Sequence, residues 1–376
     1  MPKIPYDALK FPVSLPVWSR TTTGRTPGSH SGEANAPLAE LMAHAASVGD
    51  TSIVTGTATR RALDMRWRLA AIEAALEDVG GYWAPSEAYL EHLDSSEKTF
   101  VSYLLGMTQA SLMSEHILGT VALVHVDAVL RLFGHLHRAK RPDLIGYSAS
   151  AAAFGRRGGT PLGRVLVEAK GTSGPKDQQA IDDALAQLKP GVGTLPNPNL
   201  RQLAFLLGRH SLRVVSHAYF DPAFPGSASP VWSSHLEDPP GDGDVPSEWD
   251  DDEFRGLLLL AKLLPVADAM RLNPEIDFEW PEAVGAETSA VQVAPGVVFG
   301  LPAHLGEMLQ GIVGLHPLGF SRSEQDQVEV RRLARLANDL RPPEIMLPRN
   351  ASRFQDWEIG KLLSGFCVAR FVGDGD

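Results

Sequence analysis

The stretch from Arg141 to Lys170 constrains this chain more than any other. It opens on RPDLIG, crosses a loop carrying GRRGG, and ends in RVLVEAK. Proline fixes φ and lacks an N–H, so regular structure breaks at Pro142, and DLIGYSA after it reads as a short strand. Gly155, Gly158, Gly159 and Pro161 mark a turn region before the next strand, GRVLVEA. Alternation along that strand puts Glu168 and Lys170 on one face and Ala169 on the other. Asp143 begins the first of these strands, Glu168 lies near the end of the second, and Lys170 follows two positions on.

That set of side chains has a chemistry of its own. Two carboxylates can hold one or two hard divalent ions, Mg²⁺ first and Mn²⁺ as its substitute. Backbone carbonyls, that of Ala169 being close at hand, would complete the shell with water and phosphate oxygens. Such an ion polarises a phosphodiester and lowers the pKa of attacking water. Lys170 would orient the water or stabilise charge developing on the phosphate. Gly171 leaves space beside the site.

RPD at 141–143 followed by EAK at 168–170 resembles the PD-(D/E)xK nuclease superfamily, which includes restriction-endonuclease-like enzymes and many repair and phage-defence nucleases. The resemblance covers roughly residues 95–220. It implies a core of helix, three strands, helix and strand, in which Asp143 and Glu168 bind metal and Lys170 assists catalysis. It also implies an acid from the preceding helix, with Glu97 and Glu115 as candidates, and a glutamine from the following one, with Gln178, Gln179 and Gln187 available. The expected activity is Mg²⁺-dependent endonucleolytic hydrolysis of DNA, with RNA as the other substrate and antiviral defence as the setting by family analogy. The alternative is a non-catalytic interaction or scaffold protein of a defence or repair complex.

The element order read from the residues agrees. Ser95 or Ser96 begins a helix that runs to Leu118, its serines able to accept a backbone hydrogen bond, and Phe100, Tyr103, Leu104, Met107, Leu112 and Ile117 supply its buried face. TVALVHVDAVLRLF at 120–133 reads as strand, with helix as a competitor. A helix up to Leu188 follows the turn at Gly171–Pro175, and LRVVSHAYF at 212–220 is the fourth strand. The fold class is α/β: a mixed central sheet flanked by helices, with helical additions at both ends. In those additions, residues 1–94 are an arm plus helical support. The segment TTTGRTPGSHSGEANAP at 21–37 reads as loop or flexible arm, and Arg60–Val79 reads as an amphipathic helix with Leu63, Trp67, Leu69, Ile72 and Leu76 inward. Residues 221–252 are an acidic Pro/Gly-rich linker or surface excursion, and residues 253–376 a mostly helical accessory region.

Charge distribution refines the partner. The formal net charge of −11 argues against a surface coated for sequence-independent nucleic-acid binding. Residues 131–170 nevertheless hold eight Lys or Arg against Asp143 and Glu168, whereas 221–253 hold ten acids and no Lys or Arg. Arg138, Lys140, Arg141, Arg156, Arg157 and Lys176 are the candidate phosphate contacts. A homodimer is expected if both strands of a duplex are cut. Cys367 stands alone, so neither a disulfide framework within the chain nor a cysteine-rich zinc site can form. His135 and His137 lack zinc spacing, and His125 with Asp127 would share a strand face at the rim of the site. GRRGG and KGTSGPK lack the phosphate-loop pattern, and Ser364 lacks a nucleophile elbow. The N-terminal residues have no apolar core of signal-peptide type and no run approaches a membrane span, so a cytoplasmic location is expected.

Overall fold

Within the stretch 21–37, expected as loop or flexible arm, His30–Asn35 is a strand, and residues 21–29 lie outside the described residues. The computed structural model describes residues 2–10, 30–48, 57–132, 142–148, 156–157, 160–161, 164–188, 211–221, 229–237, 249–281, 284, 287–315, 324–340, 353–354 and 356–372. β1 (Lys3–Lys10) pairs antiparallel with β2 (His30–Asn35), and α1 (Leu38–Ser47) is buried along its length. α2 (Ala58–Ala75) starts at Thr57, whose hydroxyl accepts the Arg60 N–H. It ends at Ala75 rather than Val79, because Leu76–Val79 is β3 and turns back into β4 (Tyr82–Pro85) through Gly80 and Gly81. Both glycines lie at positive φ, as a two-residue hairpin turn demands. Its inward face is Ala62, Met65, Leu69, Ile72 and Ala75, while Leu63 and Trp67, expected inside, are exposed.

A π-helical turn (Ala88–His92) leads into α3 (Ser95–Leu118). Its cap is Asp94 rather than a serine. The Asp94 carboxylate accepts the Ser96 and Glu97 N–H groups, and the Glu97 carboxylate accepts the Asp94 N–H. Gly119, in the left-handed region, ends the helix and donates to the Glu115 carbonyl. The ambiguous run after it is divided between the two readings: β5 (Thr120–His125) is strand and α4 (Val126–Leu132) is helix. There follow β6 (Leu144–Ser148), a small ribbon of β7 (Arg156–Arg157) and β8 (Thr160–Pro161), β9 (Arg164–Gly171), α5 (Gln178–Leu188), β10 (Ser211–Asp221) and β11 (Ser229–Glu237).

Among the described residues, nine strands form one mixed sheet in the order β3-β4-β1-β11-β10-β9-β6-β5, with β2 on β1. β9 and β10 are parallel, joined through α5 as a parallel pair requires, and β6 is antiparallel to β9. The segment expected as linker, 221–252, therefore includes a sheet strand: β11 pairs antiparallel with β10 and parallel with β1. Apolar Pro230, Val231 and Trp232 fall within β11, and its acids lie mostly beyond it.

Among its described residues, the C-terminal third combines helices with a sheet. α6 (Asp251–Arg271), α7 (Ala303–Leu315) and α8 (Glu324–Asp339) accompany a five-stranded antiparallel sheet. That sheet comprises β12 (Thr288–Ala294), β13 (Val297–Pro302), β14 (Arg353–Phe354), β15 (Trp357–Lys361) and β16 (Cys367–Phe371). α6 is apolar around its circumference and buried on nearly all sides, the mark of a helix inside a core. One cluster of buried side chains runs from Ile4 and Leu41 through Leu104, Leu166 and Val215 to Leu258, Phe299 and Phe366, so the four expected segments share a core. No helix among the described residues is long and apolar enough to cross a membrane.

Candidate active site

β6 and β9 run antiparallel with Leu144 opposite Val167, which brings Asp143, the residue before β6, opposite Glu168. The ladder ends at Leu144, and side chains take over its hydrogen bonds. The Ala169 N–H donates to Asp143 Oδ2 at 2.9 Å, and the backbone of Asp143 favours the charged form of Glu168. The Asp143 carboxylate is thereby fixed by backbone from β9. The N–H and C=O of a strand residue leave on the same side, so the Ala169 carbonyl also faces the Asp143 edge. Lys170 Nζ donates to Glu168 Oε1 at 2.5 Å. The alternation read from sequence holds: Val165, Val167 and Ala169 pack with Met107 and Ala110 of α3, while Leu166 joins the larger core.

Electrostatics make this a strained pair. Burial, then the charge of Asp143, pushes Glu168 up to about 7, against the opposing pull of Lys170. Asp143 is raised too, by burial and by Asp127, with Lys170 and the Ala169 N–H opposing. Like charges a ladder rung apart cannot both ionise freely. Glu168 Oε2 is buried and has no hydrogen-bond partner among the described residues. A buried carboxylate oxygen left unpaired is costly, and a hard cation would satisfy it. Mg²⁺ usually takes only one or two carboxylates and completes its shell with water and phosphate, so Asp143, Glu168 and the Ala169 carbonyl fit such an ion. No group of three or more His, Cys, Asp or Glu that could hold a metal occurs among the described residues.

α3 closes one side of the site. A Cβ on Gly171 would sit 1.8 Å from the Ser102 carbonyl oxygen, and one on Gly106 would sit 2.9 Å from the Lys170 carbonyl oxygen. The space that Gly171 leaves is therefore filled by helix backbone. Tyr103 of α3 feels the charge of the carboxylates. Its hydroxyl is pushed up to about 12 by burial, with the charges of Asp143, Asp127 and Glu168 adding and Arg68 opposing. Tyr103 was expected in the buried face, yet its side chain is 43% exposed. Asp127, read as a rim residue, does stand near Asp143; its N–H donates to His125 Nδ1 at 3.1 Å.

The other expected contributors are elsewhere. Glu97 is engaged in the cap of α3. Glu115 is deep in the protein, where its Oε1 accepts the Leu363 N–H at 2.6 Å and its charge couples to buried Lys262. Gln178 and Gln179 are exposed and donate to Asp182 and Asp183 one turn on; Gln187 is half-buried on the same helix. Lys176 is half-buried between β9 and α5. Arg156 and Arg157 form β7, and Arg138, Lys140, Arg141, His135 and His137 lie outside the described residues. No protein-family model, curated protein or solved structure matches the chain.

Proposed function

We propose that this chain is a metal-dependent nuclease that hydrolyses phosphodiester bonds, most simply in DNA, on a restriction-endonuclease-like core. The observation that carries the reading is the interlocked pair Asp143 and Glu168, with Lys170 on Glu168 and one glutamate oxygen left unpaired in a buried site. The succession α3, β5, β6, β9, α5, β10 supports the core assignment. Asp143, Glu168 and the Ala169 carbonyl would hold Mg²⁺ or Mn²⁺. The ion would supply polarisation of the scissile phosphate and a more acidic bound water. The chain's own residues do the rest. The Ala169 N–H holds the Asp143 carboxylate, and Lys170 the Glu168 carboxylate, in place before anything binds. Lys170, 30% exposed, can turn from Glu168 toward a phosphate oxygen and stabilise charge developing there.

The test is cleavage of plasmid, linear duplex, single-stranded DNA and RNA with Mg²⁺ or Mn²⁺, beside D143A, E168A and K170A. Wild-type cleavage lost in all three variants is the expected result, and activity kept in E168A and K170A would reject the site. Calorimetric Mg²⁺ or Mn²⁺ binding that disappears in D143A and E168A is the readout that does not depend on turnover. A wild type that takes up no ion and cuts nothing would favour the scaffold reading.

A further inference from the structure

Trp67 of α2 and Phe100 of α3 meet at the surface with ring centroids 4.5 Å apart and planes 60° apart. They are 44% and 46% exposed, although both were expected in helix interfaces. A cavity of about 530 Å³ opens beside them, a volume in the range of sites that take a whole small molecule. Ala70, Ala71 and Ala74 line it along α2, and their short side chains give it depth. Tyr89 lines it from the π-helical turn. The Tyr89 hydroxyl is already bonded to Ser102 Oγ at 2.7 Å, so what Tyr89 offers a ligand is its ring.

Charge at this cavity has one sign. Among the described residues that line it, Glu97 is the one side chain charged at neutral pH. Glu97 Oε2 accepts the Asp94 N–H at 2.9 Å, which leaves Oε1 for a ligand. The cations nearby in sequence are turned elsewhere: Arg66 to Asn273, Arg68 to Asp64 and the Val48 carbonyl, and Lys98 to the Leu90 carbonyl. Nor does the start of α3 offer an anion site, because the Ser96 and Glu97 N–H groups are both taken by Asp94 Oδ1. An aromatic face attracts a cation placed within about 6 Å of the ring centre. The rings therefore act in the same direction as the carboxylate. An anion would meet Glu97 with no cation to hold it, and a neutral molecule would fill the volume but gain little from Glu97.

We infer that this cavity is a binding site for a small organic ammonium ion with an apolar body. The charged head sits against the Trp67 and Phe100 rings beside Glu97 Oε1, and the body lies along the alanines of α2. This inference stands apart from the nuclease reading, and cleavage plays no part in its test.

The probes are benzyltrimethylammonium, neutral benzyl alcohol, anionic phenylacetate, and tetramethylammonium, which has the head without the body. Each is titrated into the full chain and followed by saturation-transfer NMR. Wild type binds benzyltrimethylammonium at millimolar concentration or below, and several-fold more tightly than the other three. W67A/F100A weakens that binding by about 5- to 30-fold, the loss of two partly exposed cation–π contacts. W67F/F100Y keeps it within a few fold. E97Q weakens it by about 2- to 5-fold, as for one exposed ion pair; glutamine at this capping-box position still accepts the Asp94 N–H, so the helix start is kept. Equal melting temperatures confirm that the variants fold. Equal binding of any of the other three probes, affinity unchanged in W67A/F100A or in E97Q, or a wild type that binds none of the four at millimolar concentration overturns the inference. So does self-association of the chain that W67A/F100A abolishes, which would make the cavity a contact between copies.

Discussion

Replacing Glu168 by glutamine should abolish cleavage and stabilise the metal-free protein. Folding holds a proton on Glu168 between the ordinary value of 4.5 and about 7, a range in which the unfolded chain has released it. Folded-state proton uptake means that stability falls as pH rises through this window. Below 4.5 the residue contributes its full share, and above about 7 that share is gone. The whole shift corresponds to about 3 kcal/mol. E168Q is neutral at every pH and escapes the loss, and the attraction of Lys170 is already contained in the net shift. A gain of about 3 kcal/mol therefore stands at alkaline pH. For 376 residues this corresponds to a melting temperature higher by about 4 °C.

The assay is thermal unfolding of both proteins in EDTA from pH 5 to 8.5. The two curves should nearly coincide at pH 5, where folded wild type is already protonated at Glu168, and diverge steadily above pH 6. Adding Mg²⁺ or Mn²⁺ at pH 8 should raise the wild type and leave E168Q unmoved, because ion and proton compete for the same oxygen. A stability difference independent of pH, or a metal-free wild type more stable than E168Q at pH 8.5, would refute the claim that Glu168 is held against its charge.

K170M should lower single-turnover cleavage by about 10²–10³-fold, the size of effect seen when one preorganised donor is removed, while far-ultraviolet circular dichroism stays unchanged. G171A drives a methyl into the Ser102 carbonyl and should destabilise by about 3 kcal/mol in urea unfolding; a wild-type midpoint would mean that α3 does not lie against β9. K262M leaves buried Glu115 without its cation and should lose about 3–5 kcal/mol. In the double variant E115L/K262M the loss should be smaller than in K262M alone, since no buried charge is left unpaired.

The two strands that carry the site were legible because β9 is buried on both faces: Val165, Leu166 and Val167 give an uninterrupted apolar run, and Pro142 sets where β6 can begin. Their antiparallel register, with Leu144 opposite Val167, was not legible in the residues and comes from the pairing itself. The helices were harder. Apolar residues surround much of α3, so periodicity alone could not tell that Phe100 and Tyr103 face outward while Val101, Leu104 and Leu105 face in. A second signal was present at Trp67, an aromatic amid Arg66 and Arg68, where a buried face would seldom place two cations. β11 was hidden for another reason. Its pairing with β1 joins residues at Tyr6 and Trp232, a separation that no local pattern can encode. The five-stranded sheet was concealed the same way, because β13 finds β16 across two intervening helices.

Buried charges elsewhere in the protein indicate what sets Glu168 apart. Asp268 is held by Arg61 and Arg271, and Glu253 by Arg331, by Arg335 and by the Asp250 N–H of its own helix cap. Glu115 faces a lysine that is itself wholly buried and accepts a backbone N–H besides. Arg271, Arg331 and Arg335 reach solvent, so what these carboxylates have beyond Glu168 is a second cation or, for Glu115, a wholly buried one. Glu168 is equally buried but has one cationic partner, and Lys170 reaches solvent along about a third of its side chain. A lysine so placed could leave its carboxylate for a phosphate if a divalent ion were held by Asp143 and Glu168, whose charge would then compensate the glutamate. On the proposed reading, the combination of a strained carboxylate with a single, partly exposed cation, more than the three-residue pattern itself, would suit this edge of the sheet to chemistry.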